Sequence, residues 1–150
     1  MLNFNDIASK KIEDIEKPPL PPIGTYRWQI TKLPETTFSA DEQWQFLAFP
    51  CRAVEATEDA DMSDYNGDVK GIMSRVQFVF NRNDEAAFNQ TVFRVRTFLE
   101  DHVKCATPTM SINEAINASV NQQFLGGFVH QLNKKTDELN GQITKTAPLD

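Results

Sequence analysis

The sequence predicts a mainly β domain with one or two helices, and three observations carry that reading. Period-two alternation of side chains recurs at residues 25–32, 44–54 and 71–80. One strong helical stripe follows: Phe88, Val92, Val95 and Leu99 stand at i, i+4, i+7 and i+11, widened by Phe98. Two further extended segments come after it, 123–131 with Gly126 and Gly127 inside, and 141–146. At 150 residues this is one ordinary domain, able to bury roughly 70% of the surface its unfolded chain exposes.

Residues 1–22 read as an arm outside the domain of 23–150. Phe4, Ile7, Ile12 and Ile15 are too loosely spaced for a helix. The run Lys17-Pro18-Pro19-Leu20-Pro21-Pro22 predicts an extended polyproline II lead-in. It abuts a strand too closely to favour a role as a ligand for another domain.

Gly24 opens the first strand, with Tyr26, Trp28 and Ile30 on one face and Arg27, Gln29 and Thr31 on the other. Residues 33–43 contain Pro34 and several polar side chains and read as a connecting loop. The stretch 44–54, WQFLAFPCRAV, has two unlike faces. Leu47, Phe49, Cys51 and Ala53 form an apolar side; Trp44, Phe46, Ala48, Pro50 and Arg52 form a side aromatic at one end and basic at the other. Pro50 suggests a bend, because proline is poorly tolerated in a central strand.

Residues 55–68 hold six acids and no base. That composition predicts a solvated, mobile acidic loop at about 55–70. Its Asp59, Asp61 and Asp64 do not make a calcium loop, since Asp64 stands where the glycine belongs and the closing Glu is missing. In the third strand Val76, Phe78 and Phe80 face the core, while Arg75 and Gln77 face outward. Asn83 is the expected cap of the long helix, with Asp84 and Glu85 in its first turn and an end near Lys104. Ser111 and Glu114 have capping-box spacing and predict a short second helix to about Ser119. The paired glycines predict a bulge in the fourth strand. Residues 133–140, with Lys134 and Lys135, read as a polar loop before the fifth strand, where Ile143 points inward.

Three strands, a helical insertion and two more strands match an OB-fold-like five-stranded barrel with a helix between strands three and four. A three-stranded sheet on two helices plus a hairpin is the competing α+β arrangement. The run LPPIGTYRWQITK, the WQFLAFP strand, the acidic insertion, the FRVRTFLEDHV and INEAINASV helices and the FLGGFVHQL strand give a further pointer. Taken together, from Asn3 to Pro148, this layout resembles the small phage-encoded single-stranded-DNA-binding proteins. The resemblance implies an OB-fold that coats single-stranded DNA in phage replication or recombination, within the host cytoplasm. It departs from many such proteins in lacking an acidic, partner-recruiting end: Thr144 to Asp150 hold a single acid.

The expected binding face joins Arg27, Gln29, Trp44, Phe46, Arg52, Arg75 and Gln77, with Lys134 and Lys135 closing over it. Trp44 and Phe46 would stack bases, and the cations would meet phosphates. Partners on this reading are single-stranded DNA and phage or host replication proteins, with no cofactor, metal or membrane. The competing reading is a phage structural or protein–protein interaction module, whose aromatic face is a subunit interface, as in a homodimer.

A net charge of −6 opposes a nucleic-acid partner at first sight, but outside the acidic segment 15 acids balance 15 bases. Catalytic readings find little support. Cys51 or Cys105 with His102 or His130 could compose a nucleophile pair or a zinc site, yet only His102 and Cys105 are close in sequence. Two cysteines without a close pair give no disulfide framework and fit a reducing compartment. The first 17 residues have acids throughout and no long apolar run, unlike a secretion signal.

Overall fold

The computed structural model describes residues 1–15 and 19–149. Among these residues the fold is mainly β, with six antiparallel strands and two α-helices. The strands are β1 (Gly24–Ile30), β2 (Glu35–Phe38), β3 (Trp44–Ala56), β4 (Met73–Asn81), β5 (Gln123–Asn133) and β6 (Glu138–Ala147). Helices α1 (Glu85–Thr97) and α2 (Ile112–Ser119) lie between β4 and β5, where the sequence places them. The predicted polyproline run begins at Lys17 and Pro18, which lie outside the described residues.

Strand β3 is the spine of the sheet. One edge pairs along its length with β4, from Trp44 opposite Asn81 to Arg52 opposite Met73. The other edge is shared, with β2 on residues 45–48 and β1 on residues 51–56. Pro50 sits at the changeover. Its carbonyl accepts from Thr31 N at 3.0 Å, toward the β1–β2 side. Carbonyl and N–H of one strand residue point the same way, so the donor that proline lacks would fall in the break between partners. A proline inside a central strand is thereby accommodated.

From β1 the sheet continues to β5 and β6. Gly126 and Gly127 provide the expected bulge, with the β5–β6 register slipping between Gly127 and Phe128. Among the described residues β4 and β6 form no ladder although they approach each other, so the sheet curls without closing.

The core lies inside the curl. Tyr26, Trp28, Phe49, Phe98 and Phe124 are fully buried there, each contributing about 1.5–3 kcal/mol by removal from water. Val95, Phe98 and Leu99 of the helical stripe are buried, with Phe88 and Val92 packed against the core. After Thr97 the helix widens into a π-helical turn, Phe98–His102, which lets the adjacent Phe98 and Leu99 both face inward.

Several expectations need correcting. The segment 33–43 is not wholly a loop, because Glu35–Phe38 is strand β2, making six strands rather than five. The polar loop expected at 133–140 is a tight hairpin, with β5 and β6 extending to Asn133 and Glu138. The helix cap is Asp84, whose carboxylate accepts from Ala87 N at 3.1 Å, and not Asn83. The box at Ser111 and Glu114 forms as expected.

The acidic segment makes contacts that its composition does not announce. The Asp59 carboxylate accepts from Thr25 N and Thr25 Oγ1, each at 2.8 Å, and Thr57 N donates to Thr25 O. Ala60 is buried, and Met62, Tyr65 and Val69 pack on the core. Tyr26 Oη donates to Pro22 O at 2.6 Å. Burial raises the Tyr26 pKa, with Tyr65 and then Asp59 adding to the shift.

Candidate nucleic-acid interface

Alternation along β3 and β4 sends one set of side chains to the core and the other to the opposite surface. The outer set on β3 is Trp44, Phe46, Ala48, Pro50 and Arg52; across from it on β4 stand Val79, Gln77, Arg75 and Met73. β2 adds Thr37 beside Phe46 and Glu35 beside Ala48. β1 adds Gln29 beside Arg52.

A groove of about 740 Å³ opens over this face. Its floor is Phe46, Ser74, Arg75 and Gln77, and its far wall is the β5–β6 hairpin. Asn133 shapes the hairpin turn: its side chain accepts from Lys135 N at 3.0 Å and its carbonyl from Asp137 N at 2.7 Å. The turn thus presents Lys134 and Lys135 to the groove, beside the amides Gln131, Asn133, Asn140 and Gln142. Phe46, Arg75, Gln77, Lys134 and Lys135, far apart in sequence, meet around one cavity.

The other expected residues fall at the margins. Trp44 is 37% exposed and stands on the same face at the strand end, two residues or about 6.6 Å from Phe46. Arg52 is exposed at the opposite end, beside Gln29 and Met73. Gln29 Nε2 donates to Asn121 O at 3.4 Å. Arg27 is ion-paired to Glu55, where the β1–β3 register slips, so its charge is already answered.

Sequence reasoning missed Glu35 and Thr37, which line a smaller hollow with Phe46, Ala48, Arg75 and Gln77. The signal was present in Thr36, Thr37 and Phe38, residue types that favour strands. It also assigned no binding role to the hairpin amides, placing Asn133 and Asn140 in a loop and Gln131 and Gln142 at strand ends.

The cysteines and histidines each have a local partner. Burial pushes the Cys51 thiol up to about 12. Cys105 Sγ donates to Ala115 O at 3.4 Å. His102 Nδ1 meets Thr146 Oγ1 at 2.6 Å, and His130 Nε2 meets Pro21 O at 2.7 Å. Among the described residues no three His, Cys, Asp or Glu side chains gather as a metal site, and no helix is long and apolar enough to cross a membrane.

No family model matches the chain, and no curated protein matches it.

Proposed function

We propose that the chain binds and protects single-stranded DNA without catalysing a reaction, in phage replication or recombination in the host cytoplasm. One observation carries this reading. In a chain of net charge −6, the groove over β3, β4 and the hairpin is lined by three cations, an aromatic ring and a set of amides, with no carboxylate among the described lining residues. A flexible polyanion with flat bases fits that chemistry. Bases stack on Phe46 and continue onto Trp44, while phosphates meet Arg75, Lys134 and Lys135. Amides bond to base edges or sugars without a fixed sequence code.

The alternative is a subunit interface. Met73 and Val79 favour it, being apolar and exposed on the same face. Salt separates the two, because phosphate binding releases counterions and an apolar contact does not.

The test is titration of tryptophan fluorescence with a mixed-sequence single-stranded oligonucleotide at low and moderate salt. Trp28 is fully buried and its Nε1 donates to Gly126 O, which leaves Trp44 as the reporter at the surface. Saturable quenching that weakens with salt is expected. No quenching at low salt, with no retention of a labelled oligonucleotide by the protein, would overturn the proposal.

A further inference from the structure

The outward face of the sheet carries a second polar track beyond the groove, and strand register defines it. Met73 on β4 stands opposite Arg52 on β3, Arg52 opposite Gln29 on β1, and Gln29 opposite Gln123 on β5. Directly opposed residues share a face, so these four make one row across four strands, about 14 Å long at the usual strand spacing. Met73 and Arg52 are exposed, Gln29 and Gln123 half-buried, and none of the four is an acid. At the Gln123 end lies a hollow of about 420 Å³, whose lining includes Lys104, Asn121 and Gln122 and no carboxylate among the described residues. Hydrogen bonds fix this hollow to the row. Asn121 N donates to Ile30 O at 2.7 Å, Ile30 N donates to Gln122 O at 2.9 Å, and Gln29 Nε2 donates to Asn121 O at 3.4 Å. Lys104 is exposed and, like Arg52, has no ion-pair partner among the described residues.

We propose that a bound single strand leaves the groove over this row and ends in the hollow, where Lys104 joins Arg52 in meeting its phosphates. The inference rests on the single-stranded-DNA reading of the groove. The two surfaces adjoin. Arg75 in the groove floor stands opposite Pro50, which makes Arg52 its diagonal neighbour, about 7–8 Å away. Charge sets the direction. Along β1 the next outward residue after Gln29 is Arg27, which Glu55 already neutralises, so the free cations run across the sheet and not along β1. Gln29 and Gln123, lying between the two cations, offer amides to bases or sugars on the way. From Trp44 to Arg52 the path covers about 26 Å of strand, and crossing to β5 adds about 10 Å. At a stacked rise of about 3.4 Å per nucleotide, roughly ten nucleotides span it.

Strand length tests it. Labelled oligothymidylates of about 4 and about 12 nucleotides lie within the range of single modules that bind single strands. At the stacked rise the shorter one cannot reach from Phe46 to Lys104. Equilibrium binding of both is measured with wild type, Lys104→Gln, Arg52→Gln and the groove variant Lys134→Gln/Lys135→Gln. All four positions are exposed, and an unchanged circular dichroism spectrum checks the fold. Wild type should bind the longer strand more tightly. Lys104→Gln and Arg52→Gln should each weaken the longer strand several-fold and flatten its salt slope by about 0.7, with a smaller loss on the shorter strand. The groove variant should weaken both lengths. A Lys104→Gln loss that is absent, or equal at both lengths, would overturn the proposal, and a loss in the groove variant would then leave the groove reading standing. Binding of neither length to wild type would overturn both. A length-dependent loss in Lys104→Gln beside no loss in the groove variant would support the row and overturn the groove reading alone.

Discussion

Trp28 and Gly126 are locked together across β1 and β5: the indole Nε1 donates to the glycine carbonyl at 3.0 Å, and the ring fills the space where a Cβ would stand. A methyl group on Gly126 would lie 2.8 Å from Ile143 Cγ2 and 2.9 Å from Trp28 Cδ1. Gly126→Ala should therefore destabilise the domain by about 1–3 kcal/mol, the usual cost of overpacking a core. A lowered denaturant midpoint with an unchanged m-value would show it.

Phe46 lines the groove and Trp44 stands beyond it, which ranks the two rings. Phe46→Ala should weaken single-stranded DNA binding by about 1–3 kcal/mol, the range for loss of a stacking platform. Trp44→Ala should cost less. Equilibrium binding of a labelled oligonucleotide measures both, and a larger loss at Trp44 would contradict the ranking.

Charge contacts are read best from the slope of affinity against salt. For single strands each phosphate neutralised contributes about 0.7 to that slope. Arg75→Ala, Lys134→Ala and Lys135→Ala should each flatten it by about that amount. The pair Arg27→Gln with Glu55→Gln should leave it unchanged, since those charges already answer each other.

Glu35 puts a carboxylate beside Phe46 and Arg75, in the hollow next to the groove. Its repulsion of a phosphate is an exposed-charge effect of about 0.2–1 kcal/mol. Glu35→Gln should thus tighten binding, by up to roughly fivefold, and the gain should fade as salt rises.

The Asp59 carboxyl is held below its ordinary value of 3.8, chiefly by the Thr25 backbone N–H, then by the Thr57 and Thr25 hydroxyls. A depressed folded-state pKa contributes stability that is full above the unfolded value and lost as pH falls through the folded one. The stability difference between wild type and Asp59→Ala should be constant from about pH 5 upward and shrink below about pH 4. Denaturant unfolding across that range measures it.

Much of this architecture was legible in the chain. Strands β1, β3 and β4 declare themselves because one face of each is buried and the other is not, so alternation is enforced at Tyr26, Trp28, Phe49, Cys51 and Val76. The stripe of α1 and the box at Ser111 are equally local. What was missed is held by long-range or backbone forces. All four residues of β2 are exposed, and pairing with β3 rather than burial makes them a strand. The facing ends of β5 and β6 are likewise exposed, Leu132 opposite Leu139 included, and pairing rather than burial makes them strands. The link from Asp59 to Thr25 spans 34 positions and leaves no mark in either segment. At the candidate site, the two-faced character of 44–54 was plain. That the hairpin would lean toward β3, and that Arg27 would be occupied by Glu55, depends on the curl of the whole sheet.

The seam between β4 and β6 has a topological consequence. The groove floor belongs to β3 and β4, its far wall to β5 and β6, and no backbone ladder joins β4 to β6. A polymer can then enter sideways at any point along its length, with no free end to thread. If the proposed function holds, circular and linear single strands should be captured at equal rates.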